Sequence, residues 1–349
     1  MSARPSSARE DSMEYKSQGK IIQGVGGLYT IALLHNGTPL DGQTVVCRAR
    51  GAFRHAGMTP LPGDDVLVGY DDTALRRAED GAYAAAEDGG GLRIDDILDR
   101  KNALIRPPMA NLELLFVTMA AAAPAPLLLV VDKLISIAEH NRIEPVIIIG
   151  KSDLDGENAE RIRAIYAHAG FDAFVVSCER GEGIDAVGRY VRTHLGGKIA
   201  AFAGASGVGK STLMNALFPS LERMTGEISQ KNARGRHTTR EVTLFPLAGL
   251  LPDATDTDGY IADTPGFSML DFTRFDFFDK DDLPLTMREF APYLGNCRYT
   301  DCTHTKEEEC AVLDALRRGD IEPTRHESFV SMYMDLKDKR PWTKAPSHH

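Results

Sequence analysis

The chain has 349 residues, more than one average domain, with 43% hydrophobic and 26% charged residues. That composition belongs to folded globular protein and excludes wholesale disorder. Lys+Arg 40 against Asp+Glu 50 gives a formal net charge of −10, which excludes coating of nucleic acid by bulk positive charge but leaves a local basic surface open.

The N-terminal residues 1–18 are polar, with no hydrophobic core that would make a secretory signal, and read as a disordered tail of a cytoplasmic protein. Residues 19–106 read as β-rich: 19–34 alternates apolar stretches with glycines, 44–50 and 65–70 are strand-like, and His35-Asn36-Gly37 and Leu61-Pro62-Gly63-Asp64 mark turns. Short strands at this spacing predict a small barrel. A low-complexity loop at 84–91 breaks the sheet, and Arg106-Pro107-Pro108 reads as a linker. From residue 112 strands at 112–119, 145–150, 173–177 and 198–204 alternate with helices at 126–141, 159–169 and 184–195, the pattern of a parallel sheet covered on both faces. No apolar run spans a bilayer: 126–137 contains Asp132 and Lys133, and 145–149 is short. From about Pro284 the pattern changes to short helices around a Cys/His cluster.

The strongest motif is Gly204-Ala205-Ser206-Gly207-Val208-Gly209-Lys210-Ser211, a full G-x-x-x-x-G-K-[ST] phosphate loop between a strand and a helical stretch opening at Thr212. Its glycines let backbone N–H groups close around phosphates, Lys210 neutralises the β- and γ-oxygens, and the Ser211 hydroxyl ligates Mg²⁺. Asp263-Thr264-Pro265-Gly266 closes a later strand, where the carboxylate can hold Mg²⁺ through water and Gly266 lets the backbone approach the γ-phosphate. Between them lies a basic run from Lys231 to Arg240, in which Thr238 or Thr239 can reach metal and γ-phosphate as switch segments do.

Guanine selection needs a carboxylate that accepts from N1–H and the exocyclic amine. Lys151-Ser152-Asp153 and Ser177-Cys178 both sit at strand C-termini, where ligands of open α/β sheets bind. Both precede the phosphate loop, whereas in ordinary GTPases they follow it. The domain is therefore read as a circularly permuted GTPase, a rearrangement that surface termini allow. Phe267 stands where Ras-like enzymes carry a water-orienting Gln, so slow intrinsic hydrolysis is expected, and His237 is the candidate group that orients the attacking water. Three thiols and an imidazole, Cys297, Cys302, His304 and Cys310, form the ligand set of a closed structural zinc site, and the odd total of five cysteines speaks against a disulfide framework. Cys47 and Cys178 read as core residues.

With these segments in hand the sequence resembles the ribosome small-subunit-dependent GTPase A family (RsgA/YjeQ) over about residues 19–340. The permuted order, the run Gly235-Arg236-His237-Thr238-Thr239 and the Cys/His cluster carry the likeness most specifically. The resemblance implies a multidomain α/β protein: an OB-fold barrel at 19–108, a circularly permuted P-loop GTPase domain at 109–283, and a zinc-binding helical domain at 284–349. It also implies GTP/GDP, Mg²⁺ and Zn²⁺ as cofactors and a monomer that hydrolyses GTP on the 30S ribosomal subunit late in its maturation. Contact with 16S rRNA would run through the barrel. Residues 1–110 hold 13 Lys+Arg and 15 Asp+Glu, so that contact would rest on local patches around Arg48, Arg54 and His55, and on Lys231, Arg234, Arg236 and Arg240. One position departs from the family: Gly150 replaces the Asn of Asn-Lys-x-Asp, removing hydrogen bonds that tie the base site to the phosphate loop. Two rival readings share the phosphate loop: an ATP-dependent enzyme, and a nucleotide-binding module with negligible turnover.

Overall fold

The computed structural model describes residues 14–55, 57–77, 83–85, 91–224, 242–251, 259–263 and 279–337. Two compact units divide at Asn111 and Leu112. The first is built on five strands: β1 (Glu14–Val25), β2 (Leu28–Leu33), β3 (Thr44–Ala49), β4 (Asp65–Asp71) and, after a small hairpin of β5 (Leu75–Arg77) and β6 (Tyr83–Ala85), β7 (Arg93–Ile97). β1 pairs with β2 on one side and β4 on the other, β2 continues to β3, β3 runs parallel to β7, and β7 returns to β4. The ring closes as a five-stranded barrel of the OB type, which leaves none of these five strands as a free edge. Alternate residues Ile31, Val45, Val66, Val68 and Ile94 fill it, each 2% exposed or less.

Two sequence expectations shift here. β1 begins at Glu14, inside the segment read as a tail. Its polar start pairs with β4 from Glu14↔Asp71 to Lys20↔Asp65, Tyr15 stacks on Tyr70, and the Ser17 and Tyr70 hydroxyls share a buried 2.9 Å hydrogen bond. Arg106-Pro107, read as a linker, is the turn of a hairpin between β8 (Ala103–Ile105) and β9 (Pro108–Ala110).

The second unit is a parallel sheet in the order β12 (Ala173–Val175), β11 (Glu144–Gly150), β10 (Leu112–Ala120), β13 (Ile199–Ala203), β15 (Tyr260–Asp263), with the short strand β14 (Thr243–Pro246) preceding β15 in the chain. Helix α1 (Gly51–His55) belongs to the barrel unit; α2 (Leu128–His140), α3 (Gly156–His168) and α4 (Ile184–His194) connect consecutive sheet strands, and α5 (Lys210–Leu217) follows β13. Because β10 and β13 are buried on both faces, their sequences run apolar without alternation.

The C-terminal residues 279–337 pack on α2. Helix Pro323–Lys337 places Arg325, 1% exposed, between two carboxylates: Nη1 donates to Asp132 of α2 at 2.6 Å and Nε to Glu289 at 2.7 Å. The guanidinium also lies over the rings of Tyr166 and Phe171, and the Tyr166 hydroxyl donates to Asp132. At the rim Lys133 pairs with Asp335, and Arg288 bridges Glu139 and Glu144. A buried guanidinium with two carboxylate partners fixes one docking register.

Candidate functional site

Three strand ends converge. β13 runs into the phosphate loop, whose backbone only glycine can follow: Gly204 has φ +146°, and a Cβ there would lie 2.0 Å from the Thr118 carbonyl of β10. Gly207 and Gly209 also have positive φ, +79° and +100°. Gly209 caps α5 without a side-chain bond, so the first helical amides remain available to an anion. Lys210 reaches back across the loop, its Nζ donating to the Gly204 carbonyl at 2.7 Å and Ala205 at 3.0 Å. Partial burial lowers its pKa from the usual lysine value, the response of an ammonium held where phosphate charge would restore it.

β11 ends at Gly150, and Lys151, Ser152 and Asp153 follow. The Ser177 hydroxyl, just past β12, donates to Asp153 Oδ1 at 2.7 Å and accepts from the Arg180 amide at 3.1 Å. Ser177 is fully buried, so it holds the carboxylate from beneath. Ser152 N–H donates to the Val176 carbonyl, pinning the two strand ends together. Lys151, Asp153, Cys178, Val208, Gly209 and Thr212 all line one cavity of about 320 Å³. Residues from three separate segments, Lys151 and Asp153, Cys178, and Val208, Gly209 and Thr212, thus share one cavity, with Ser177 joined to it through Asp153, while Gly204, Ala205 and Ser206 line a neighbouring cavity together with Val208. Asp263 closes β15, whose partner strand β13 leads into the phosphate loop. His237, Thr238, Thr239, Gly266 and Phe267 lie outside the described residues, as do Lys231, Arg234, Arg236 and Arg240, and the side chains of Arg54 and His55.

A tie between the base segment and the phosphate loop is present next to Gly150. Lys151 Nζ donates to the Gly207 carbonyl of the phosphate loop at 2.8 Å and to Ala123, before α2, at 2.5 Å. Cys178, read both as part of the base segment and as core, packs against the hydrophobic cluster and also lines the cavity, while Cys47 is 3% exposed and its thiol is pushed up to about 12 by burial. Sequence reasoning missed Thr118, which backs Gly204 and lines the cavity; its only signal is a hydroxyl inside the apolar stretch 114–120 of β10.

The four cluster residues also meet. One ligand atom from each of Cys297, Cys302, His304 and Cys310 lies within 4.8 Å of the others. His304 Nδ1 is 3.5 Å from the sulfurs of Cys297 and Cys310, and those sulfurs are 3.8 Å apart. Tetrahedral bonds of about 2.3 Å to sulfur and about 2.0 Å to nitrogen require separations of about 3.8 and 3.5 Å, so the donors fit a metal ion. Burial first, then the neighbouring Cys310 and Cys297 sulfurs, push the Cys302 thiol up to about 12; a divalent cation reverses that preference by binding thiolate. Backbone supports hold the cluster: Ala311 N–H donates to Cys297 Sγ, and His326 Nε2 donates to the His304 carbonyl at 2.9 Å.

Comparison with known proteins agrees with this geometry. The RsgA GTPase family model matches residues 97–273, and the RsgA N-terminal domain model matches 18–74. The chain belongs to the RsgA GTPase family. It is 37% identical over 93% of its length, and 99% of the relative's, to the small ribosomal subunit biogenesis GTPase RsgA of Geobacillus thermodenitrificans. The protein of that name from Caldanaerobacter subterraneus is 36% identical over 92% of this chain and 96% of its own. Among solved structures, YjeQ from Thermotoga maritima aligns at TM-score 0.70 and 27% identity, covering 93% of this chain and all of its own. YloQ, described as a circularly permuted GTPase, aligns at TM-score 0.70 and 29% identity, covering 96% and 99%. Membership makes the chain a GTP hydrolase of permuted P-loop fold that uses GTP/GDP and Mg²⁺. Among the described residues, no helix is long and apolar enough to cross a membrane.

Proposed function

We propose that this GTPase binds the 30S ribosomal subunit late in its maturation, hydrolyses GTP there and departs as the GDP form. The observation that carries the nucleotide reading is that Asp153, steadied by Ser177, lines the same cavity as Val208 and Gly209 of the phosphate loop. Asp153 accepts from guanine N1–H and the exocyclic amine; adenine offers an acceptor at N1 and no amine, so it is disfavoured. The Cys178 segment closes the same edge. Backbone amides from Ala205 to Thr212 and the Lys210 ammonium cradle the phosphates, and Ser211 and Thr239 ligate Mg²⁺ with Asp263 behind. When bound, Mg²⁺ neutralises charge developing between the β- and γ-phosphates. Catalysis is then positioning and charge stabilisation, with His237 orienting the attacking water on the subunit and Gly266 allowing close approach to the γ-phosphate.

The tetrahedral cluster holds Zn²⁺ and serves structure, since its four donors leave no open position. The barrel contacts 16S rRNA through local cation patches, the chain acts as a monomer in the cytoplasm, and the domains divide at 19–108, 109–283 and 284–349. Support for the partner comes from the names of the relatives, which are small ribosomal subunit biogenesis GTPases. Phosphate release with and without 30S subunits tests the reading, and His237→Ala tests the water. Stimulated turnover lost in the variant is expected; unchanged turnover removes His237 from the mechanism.

A further inference from the structure

The Cys/His cluster is organised by a side chain outside its donor set. Glu307 turns one carboxylate onto the turn that carries two of the four donors, Cys302 and His304. One of its oxygens accepts the Thr303 N–H at 3.1 Å and the Thr303 hydroxyl; the other accepts the N–H groups of Thr305 and Lys306, each at 3.1 Å. The Thr303 and Thr305 hydroxyls share a further 2.8 Å hydrogen bond. The amides on both sides of His304 are thus tied to a single side chain. Between them His304 has φ +58°, in the left-handed region that an L side chain enters only at a cost. A carboxylate that collects several N–H donors can hold such a turn, because charge-assisted hydrogen bonds are stronger than neutral ones.

The donor geometry depends on that turn. The His304 Nδ1 atom stands 3.5 Å from the sulfurs of Cys297 and Cys310, which come from the two ends of the segment. Those ends have a tie of their own, since the Arg298 N–H donates to the Glu309 carbonyl at 3.2 Å and the two side chains form an exposed ion pair. Cys302 and His304 sit on the part of the segment that Glu307 gathers. We propose that Glu307 is a positioning residue for the metal: without ligating the ion, it holds Cys302 and His304 where a tetrahedral ion needs them and so sets how tightly and how long the ion is kept. The inference rests on the reading of the cluster as a zinc site. Three glutamates stand in a row here, and negative charge alone would also favour a cation. Glu308 separates the two causes, because it is exposed and makes no hydrogen bond or ion pair among the described residues.

The test measures zinc affinity and zinc release rate of the full-length protein by competition with a chromophoric chelator, and reads the ligand field after substitution with cobalt(II). Glu307→Ala is expected to weaken zinc and speed its release by about 10–100-fold, the range for losing a partner that orients a metal ligand, and to shift the cobalt d–d bands. Glu307→Gln keeps one acceptor oxygen and should fall between the native chain and the Ala variant; it carries the test even if the Ala variant folds poorly. Glu308→Ala removes the same charge one residue away and should leave affinity, rate and bands unchanged. Native affinity in either Glu307 variant would overturn the proposal. An equal loss in Glu308→Ala would also overturn it, because charge rather than position would then hold the ion. A native chain that takes up no zinc would overturn instead the reading of the cluster as a zinc site.

Discussion

Arg325→Met offers the sharpest test of how the C-terminal segment is held. The side chain is 1% exposed, as is that of Asp132, and Glu289 is 4% exposed. Removing the guanidinium leaves two carboxylates in a protein interior with their cation gone. Burial already raises the Asp132 pKa against the lowering effect of Arg325, so in the variant that carboxyl would take up a proton or drag water inward. Breaking a buried pair from one side costs about 3–5 kcal/mol, and in a unit of this size each kcal/mol moves the melting temperature by roughly 2–4 °C. A fall of roughly 6–20 °C is therefore expected in the transition assigned to the second unit by differential scanning calorimetry. Pairing Arg325→Met with Asp132→Leu should recover part of the loss, because the uncompensated charge is then removed. A loss below about 1 kcal/mol, the scale of an exposed pair, would refute the claim that this ion cluster fixes the docking of helix Pro323–Lys337 on α2.

Other consequences can be checked separately. Gly204→Ala should abolish nucleotide binding in a fluorescence titration, since the new Cβ would sit 2.0 Å from the Thr118 carbonyl on a backbone with φ +146°; retained binding would show the loop to be more pliable than its geometry allows. Asp153→Asn should weaken GTP by on the order of tenfold or more and raise affinity for xanthosine triphosphate, whose N1/C2 edge matches an amide. Ser177→Ala should weaken GTP by about three- to tenfold by freeing the Asp153 carboxylate, without altering the preference for guanine over adenine. Elemental analysis should find one zinc per chain, and Cys310→Ser or chelation should release it and expose residues 279–337 to protease; full protease resistance without metal would contradict the structural role.

Much of the site was legible because its residues are constrained by chemistry rather than by distant packing. The phosphate loop and Asp153 each follow a buried strand, Ser177 follows the short strand β12, and apolar runs such as those of β10 and β11 announce themselves. The Cys/His set could be read because donor type and number define a tetrahedral site. What stayed hidden depended on partners far along the chain. β7, with the sequence Arg93-Ile94-Asp95-Asp96-Ile97, looks too charged for a strand, yet it closes the barrel because Ile94 turns inward and Asp95 meets Arg93 and Arg50. The polar start of β1 is a strand only because β4 pairs with it. Arg325 and Asp132 lie 193 positions apart, and neither belongs to a motif; the sequence had marked Asp132 merely as a charge interrupting an apolar run. Lys151 shows the same limit in the site itself, since nothing local reveals that its ammonium ties the base segment to Gly207.

The most direct test of the account is steady-state release of phosphate from GTP, and from ATP, by the purified chain with and without mature or immature 30S subunits. Slow hydrolysis of GTP alone, accelerated on the order of tenfold or more by the subunit and with no comparable turnover of ATP, is the predicted result. GTP turnover indifferent to the subunit, or ATP hydrolysed as readily, would contradict it.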